Sequence, residues 1–253
     1  MPRASRYLLD GYTYHLTHRC HDRGFLLKFR EEREEYREWL RTAINRHGVS
    51  VYAYCITSNH VHVVAHAHDR DAIAEMMHLP SSAVARHLNR RTEHEGSVWE
   101  HPYQCTMIED GKHLLNCLRY VDMNMVRAGV VDHPRDWRWC GYDELVGTRQ
   151  RYRLIDIKQL MRSLDLEDTQ DLARLHSAGV DDLIVRRSFT REALWSESLA
   201  VGSQEYVEKI KKDLWQRTRF EEECVTQEDQ SRAWIVREVP VAYTADSGSK
   251  PAV

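Results

Sequence analysis

Val49-Ser50-Val51-Tyr52-Ala53-Tyr54-Cys55-Ile56-Thr57-Ser58-Asn59-His60-Val61-His62-Val63-Val64-Ala65 is the stretch whose reading decides the fold. Val49 to Ile56 is a β-branched and aromatic run, the composition of a strand. Thr57-Ser58-Asn59 is a cluster of turn formers, and His60 to Ala65 is the next strand. The two form a hairpin. Strands joined by so short a turn run antiparallel, whereas a doubly wound parallel sheet would need a crossover between them.

Upstream, Tyr12 to His18 has period-2 character and reads as a strand. Glu31 to His47 is strongly charged, with Tyr36, Leu40, Ala43 and Ile44 at helical spacing, and Gly48 stands where a helix-terminating glycine belongs. Downstream, Ile73, Met77, Val84 and Leu88 mark one face of a second helix, which Pro80 is expected to kink or split. A short strand follows near Gln104 to Glu109, then a third helix from Lys112 to Val126, ended by Gly129. The order β-α-β-β-α-β-α predicts an α+β fold, a ferredoxin-like split βαββαβ antiparallel sheet with an added helix. We expect three stretches: a catalytic domain over 1–148, a helical C-terminal extension over 149–239, and a disordered tail over 240–253. The extension includes an amphipathic segment from Ser203 to Arg219.

Composition bounds the function classes. The 253 residues carry 36 basic and 39 acidic side chains, a net charge of −3, with 42% hydrophobic residues, 11 Gly and 6 Pro. Collagen-like, low-complexity and wholly disordered classes are excluded. No apolar run approaches the roughly 20 residues that span a bilayer, and the N-terminus lacks a signal-peptide core, so a cytoplasmic, non-membrane protein is expected. The six cysteines form no C-x-x-C pair and read as reduced. Fourteen of the 15 histidines fall in the first 150 residues.

His60 and His62 lie two apart in a strand, so both imidazoles point to one face. That is a two-nitrogen metal site, or else a polar sheet face with two solvated rings. On the third helix, Leu114, Leu118, Val121 and Met125 form an apolar stripe, and Asn116, Tyr120 and Asn124 form a polar row at i, i+4, i+8. A row of one phenol between two amides is unlike the interchangeable charges of an ordinary solvated face, though a surface tyrosine packed on a neighbour would also give it.

Tyr54-Cys-Ile-Thr-Ser-Asn59-His60-Val-His62-Val-Val, followed by Arg119-Tyr120-Val-Asp-Met-Asn124-Met-Val-Arg127-Ala-Gly129, resembles the single-tyrosine HUH transposases, and within them the REP-associated tyrosine transposases. Tyr12-x-Tyr-His-Leu-Thr-His-Arg19, Asn89-Arg90-Arg91 and Trp137-x-Trp139-x-Gly-Tyr142 match that branch in place and order, and the resemblance covers residues 1 to about 148. It implies that His60, His62 and Asn124 bind a divalent metal and that Tyr120 is the nucleophile, attacking a DNA phosphodiester to leave a 5′-phosphotyrosine and a free 3′-hydroxyl. Two imidazoles and an amide oxygen with open positions suit Mg²⁺ or Mn²⁺ better than structural zinc. The substrate implied is single-stranded or hairpin DNA, handled by a monomer or a homodimer. A net charge of −3 does not forbid this, because affinity comes from the phosphates neutralised locally. Arg90, Arg91, Arg119 and Arg127 are the candidate phosphate contacts, and Asn59 would orient the first histidine or simply shape the turn.

Three features depart from the family pattern: Met125 where proline is usual, Pro80 in a helix usually unbroken, and Glu100-His101-Pro102-Tyr103-Gln104 where the loop is usually basic. The last leaves a second reading open, a domesticated module that binds repeat-DNA hairpins without cutting. A His-x-His metallohydrolase is disfavoured because Val64 stands where that pattern needs an aspartate.

Overall fold

A computed structural model describes residues 7–93, 96–100, 102–214, 219–227 and 231–239. The hairpin is present: β2 (Ser50–Ile56) and β3 (His60–His66) pair antiparallel across the Thr57–Asn59 turn. β3 pairs antiparallel with β1 (Thr13–Arg19), and β1 with β4 (Gln104–Ile108), giving the order β2-β3-β1-β4. This is the split βαββαβ sheet that the turn between the middle strands implies.

Helices α1 (Arg30–His47) and α2 (Arg70–Thr92) supply the two crossovers and pack along each other. The Glu32 carboxylate accepts from the Phe29 backbone N–H at 2.7 Å to start α1, and Gly48 ends it in the left-handed conformation at φ 65°. Pro80 does not split α2, which runs unbroken through it. Pro80 is buried, and beside it the Ser81 hydroxyl donates to the Met77 carbonyl at 2.7 Å, while Ile73, Met77, Val84 and Leu88 hold the helix to the core on both sides. Packing here outweighs the loss of one ladder bond.

The third helix departs from expectation in the other direction. It divides into α3 (Lys112–Asp122) and α4 (Asn124–Arg127) at Met123, whose ψ of −2° tightens the turn. Gly129, at φ 65°, terminates the pair as its position in the sequence implies. α5 (Tyr142–Leu145) then belongs to a strap that covers the free edge of β2: Gly141 N–H donates to the Tyr54 carbonyl at 2.8 Å and Trp137 Nε1 to the Ile56 carbonyl at 3.1 Å. A Cβ on Gly141 would sit 2.8 Å from Ile155 Cδ1 and 3.4 Å from the Tyr54 backbone nitrogen, so a larger residue there would have to displace the Ile155 methyl.

The expectation of a helical extension over 149–239 needs correction. The stretch carries α6 (Ile157–Ser163), α7 (Thr169–Val185), α8 (Leu194–Glu197) and α9 (Gln204–Asp213), but also β5 (Ala200–Gly202), β6 (Arg219–Thr226) and β7 (Arg232–Val239). β5 pairs parallel with β4, and the sheet continues β5-β7-β6 to seven strands. The hairpin β6–β7 hides its strand character behind Glu221-Glu222-Glu223, while Ala233, Ile235 and Val236 on β7 are buried. The expected tail at 240–253 lies outside the described residues.

The sheet has two unlike faces. From β1, His18 reaches Ser81 of α2 with Nδ1 3.0 Å from Oγ, so even positions face α1 and α2. His15 and Thr17 point the other way, toward β3's His62 and the α3 side. All six cysteines are free, four of them buried.

Candidate active site on the α3 face

The Thr57 hydroxyl organises the turn that delivers the first histidine. It accepts from the His60 N–H at 3.0 Å and donates to the His60 carbonyl at 2.8 Å. Asn59 Oδ1 lies 2.7 Å from His60 Nδ1, so the ring proton sits on Nδ1 and the Nε2 lone pair is left available. The neighbour relation with Asn59, read in the sequence as orienting or turn-shaping, is a direct hydrogen bond.

His62 is almost fully buried, and its tautomer follows from a chain of partners. The Trp195 carbonyl can only accept, and lies 2.7 Å from His15 Nδ1, so His15 carries its proton there. His15 Nε2 is then an acceptor, and His62 Nδ1–H donates to it across 2.8 Å. His62 therefore turns a bare Nε2 outward. Asn124, the first residue of α4, ends 3.0 Å away through its amide nitrogen, and a half-turn of that amide would present its oxygen in the same place. The ring centroids of His60 and His62 are 4.8 Å apart. Among the described residues no three His, Cys, Asp or Glu side chains are grouped to hold a metal ion.

Burial is the leading cause of depressed histidine pKa values here. His15 and His60 are both pushed down to about 4, His60 further by the cations of Arg19, Arg127 and Arg191. His62 is held well below its ordinary value by burial and then by His60 and His15. All three rings are neutral near pH 7, the state in which imidazole nitrogen donates to a metal. A stability consequence follows. These rings take up protons more readily unfolded, near pH 6.5, than folded, near 4, so the unfolded chain binds more protons in between. Stability is then full above pH 6.5 and falls as pH drops through that window. Urea unfolding at pH 7.5, 6.5, 5.8 and 5.0, above the main carboxylate range, should show a steady fall in ΔG of unfolding; a flat series would remove these histidines from the account.

Tyr120 comes from the last turn of α3 and is only 6% exposed. Its ring centroid is 6.1 Å from that of His62 and 5.9 Å from that of His15, both edge-on, and 6.1 Å from Trp195. Arg127 stacks its guanidinium 4.1 Å over the ring and donates to the Tyr120 carbonyl at 2.7 Å. Burial raises the phenol pKa, while Arg127 and Arg191 pull it down. A groove opens beside the ring between Asn116, Arg119, Arg127 and Glu192.

The four candidate arginines separate. Arg127 is in the site. Arg119 lines the groove, but its guanidinium also clamps α3 to α7, donating to Asn116 Oδ1 at 3.2 Å and to the Leu175 carbonyl at 2.9 Å. Arg90 and Arg91 end α2, on the opposite face of the sheet. Arg91 pairs with Glu32 of α1, and Arg90 Nε donates to the Arg86 carbonyl at 3.3 Å, so the structure does not bring them to the tyrosine.

Sequence reading missed His15, Thr17, Arg19, Arg191, Glu192 and Trp195. The first three share a strand face two residues apart, a signal as good as His60-x-His62, but only the β1–β3 register (Thr17 opposite His62, Arg19 opposite His60) shows which face it is. The other three come from a segment about 70 residues after the tyrosine in sequence, with no motif to mark it.

Residues 9–124 match the family model described as IS200-like transposase. A Haemophilus influenzae protein, provisionally described as a REP-associated tyrosine transposase, is 25% identical over 118 residues, which is 43% of this chain and 67% of that one. Among solved structures, a REP-associated tyrosine transposase bound to a REP hairpin aligns with a TM-score of 0.47 at 17% identity, over 58% of this chain and 86% of the other. A Deinococcus radiodurans protein provisionally described as a transposase aligns with a TM-score of 0.31 at 20% identity, over 42% and 84%. The matched segment, residues 9–124, is similar to the IS200-like transposases and contains the four-stranded core together with His60, His62, Tyr120 and Asn124.

Proposed function

We propose that the protein cuts and rejoins single-stranded or hairpin DNA through a covalent tyrosine intermediate, as a REP-associated tyrosine transposase would. One observation carries the reading: a buried phenol, a stacked arginine and two neutral imidazoles with outward lone pairs converge on one sheet face. Tyr120 Oη attacks the DNA phosphorus. The O–P bond forms as the P–O3′ bond breaks, leaving a 5′-phosphotyrosine and a free 3′-hydroxyl that takes up a proton. The bond energy is kept in the ester, so the hydroxyl of another strand can reverse the step without ATP.

The chain's own residues account for the preparation. Burial keeps the Tyr120 phenol protonated at rest, so its proton leaves as the attack proceeds. Arg127, fixed against the Tyr120 carbonyl and ring, supplies positive charge where the phosphate enters. His60, His62 and Asn124 would hold a divalent cation, Mn²⁺ or Mg²⁺, and the donor set fits: two lone pairs with fixed tautomers and one amide oxygen. Such an ion supplies Lewis-acid stabilisation of phosphate charge when bound.

The test is a denaturing gel of the full chain incubated with end-labelled REP-type hairpin DNA carrying single-stranded flanks, with Mn²⁺. A labelled band at the mass of protein plus DNA is expected. Hairpin binding in a native gel with no adduct at any metal concentration would overturn cleavage in favour of a binding module.

A further inference from the structure

We infer that His15 is the positioning residue for His62, and that the Trp195 carbonyl, outside the family-matched segment, sets the tautomer of both rings. The inference rests on the metal reading above for its consequence, but not for its geometry.

Each ring proton in this chain is placed by the partner it meets. A carbonyl accepts and never donates, so the 2.7 Å contact fixes the His15 proton on Nδ1. With one proton per neutral ring, His15 Nε2 must accept, and the 2.8 Å contact then fixes the His62 proton on Nδ1. Thr17 Oγ1, 3.2 Å from the same His62 nitrogen, can accept there as well. The Asn124 amide nitrogen, 3.0 Å from His62 Nε2, agrees with this placement, whereas a lone imidazole in water favours the opposite tautomer, with the proton on Nε2, which would block the outward nitrogen. The two ring planes lie within 13° of parallel with centroids 5.0 Å apart, a separation compatible with the 2.8 Å contact between His15 Nε2 and His62 Nδ1.

The carbonyl at the head of this chain is itself held firmly. Trp195 is fully buried, and its indole N–H donates to Glu192 at 2.7 Å. Three residues on, the Ser198 carbonyl accepts from the Thr106 hydroxyl of β4 at 2.7 Å, and the Leu199 carbonyl from the Met107 N–H at 2.8 Å. The 192–202 segment is thereby stitched to the central sheet, with β5 as its last stretch. Its role is to close the relay Trp195 carbonyl, His15, His62 and leave a lone pair at the far end. The orienting partner of a ligating histidine is worth roughly 10–100-fold in metal affinity.

Two measurements test this on the full chain. Long-range ¹H–¹⁵N NMR of the metal-free wild type reads imidazole tautomers directly: His62 should show its proton on Nδ1, and a spectrum with the proton on Nε2 overturns the inference whatever the variants do. Mn²⁺ titration followed by EPR should then show His15→Phe, which keeps bulk but loses both bonds, weakened about 10–100-fold. His15→Gln, with an oxygen to accept from His62 and an amide to donate to Trp195, should recover to within a few-fold of wild type. Equal Mn²⁺ affinity in wild type and folded His15→Phe would overturn it. If wild type binds no Mn²⁺, the metal reading falls, while the NMR result still decides whether His15 positions His62.

Discussion

Tyr120→Phe is expected to lose the covalent protein–DNA adduct completely and to lower strand cleavage by roughly a thousandfold or more, the scale on which removing a covalent nucleophile acts. The substitution isolates the phenolic oxygen. The edge-on contacts with His15 and His62, the packing on Trp195 and the guanidinium 4.1 Å above the ring belong to the ring, and phenylalanine keeps them. The Arg127 hydrogen bond goes to the main-chain carbonyl and is also kept. Loss of one hydroxyl at the wall of a groove costs about 1 kcal/mol of stability, so the melting temperature stays within a few degrees. The variant should bind hairpin DNA as wild type does. A Tyr120→Phe protein that still forms an adduct would move the nucleophile elsewhere and remove the central claim.

The topology and the pair of motifs are legible in the chain because both are local. A three-residue turn forces the middle strands antiparallel, and His60-x-His62 shares a strand face whatever the strand's neighbours are. What the sequence hides depends on pairing across distance. His15 stands opposite Val64 in the β1–β3 register and meets His62 only as its diagonal neighbour, a relation created by the offset between two strands 47 residues apart in sequence. Trp195 enters from a segment with no pattern of its own. The acidic run of β6 reads as a solvated face until β7 is placed beside it, where Glu223 pairs with Arg237 at 2.9 Å. Arg119 and Arg91 show the converse. Both look like free cations in the sequence, and both are committed to holding helices together.

Glu144→Ala is expected to be the most destabilising single change, by about 3–5 kcal/mol, the usual cost of leaving a buried charge without its partner. The carboxylate is buried within the strap that covers β2. One oxygen accepts from the Tyr54 hydroxyl at 2.7 Å and from Arg37 at 3.2 Å; the other takes the Leu154 and Ile155 backbone N–H groups at 2.7 and 2.9 Å. Alanine leaves the Arg37 guanidinium, only 9% exposed, facing a cavity, and strands two buried amides. At roughly 2–4 °C per kcal/mol for a chain of this size, the melting temperature should fall by about 6–20 °C. Glu144→Gln keeps an oxygen for one of the two partner sets and should lose less. Thermal unfolding followed by circular dichroism decides it, and a fall under about 1 kcal/mol would show that the strap is held by its Gly141 and Trp137 contacts instead. The edge strand it protects leads straight into Thr57, Asn59 and His60, so the two variants fail in opposite ways. Tyr120→Phe should keep the fold and lose the chemistry. Glu144→Ala, assayed well below its melting temperature, keeps an intact tyrosine and should form adduct in proportion to the fraction still folded.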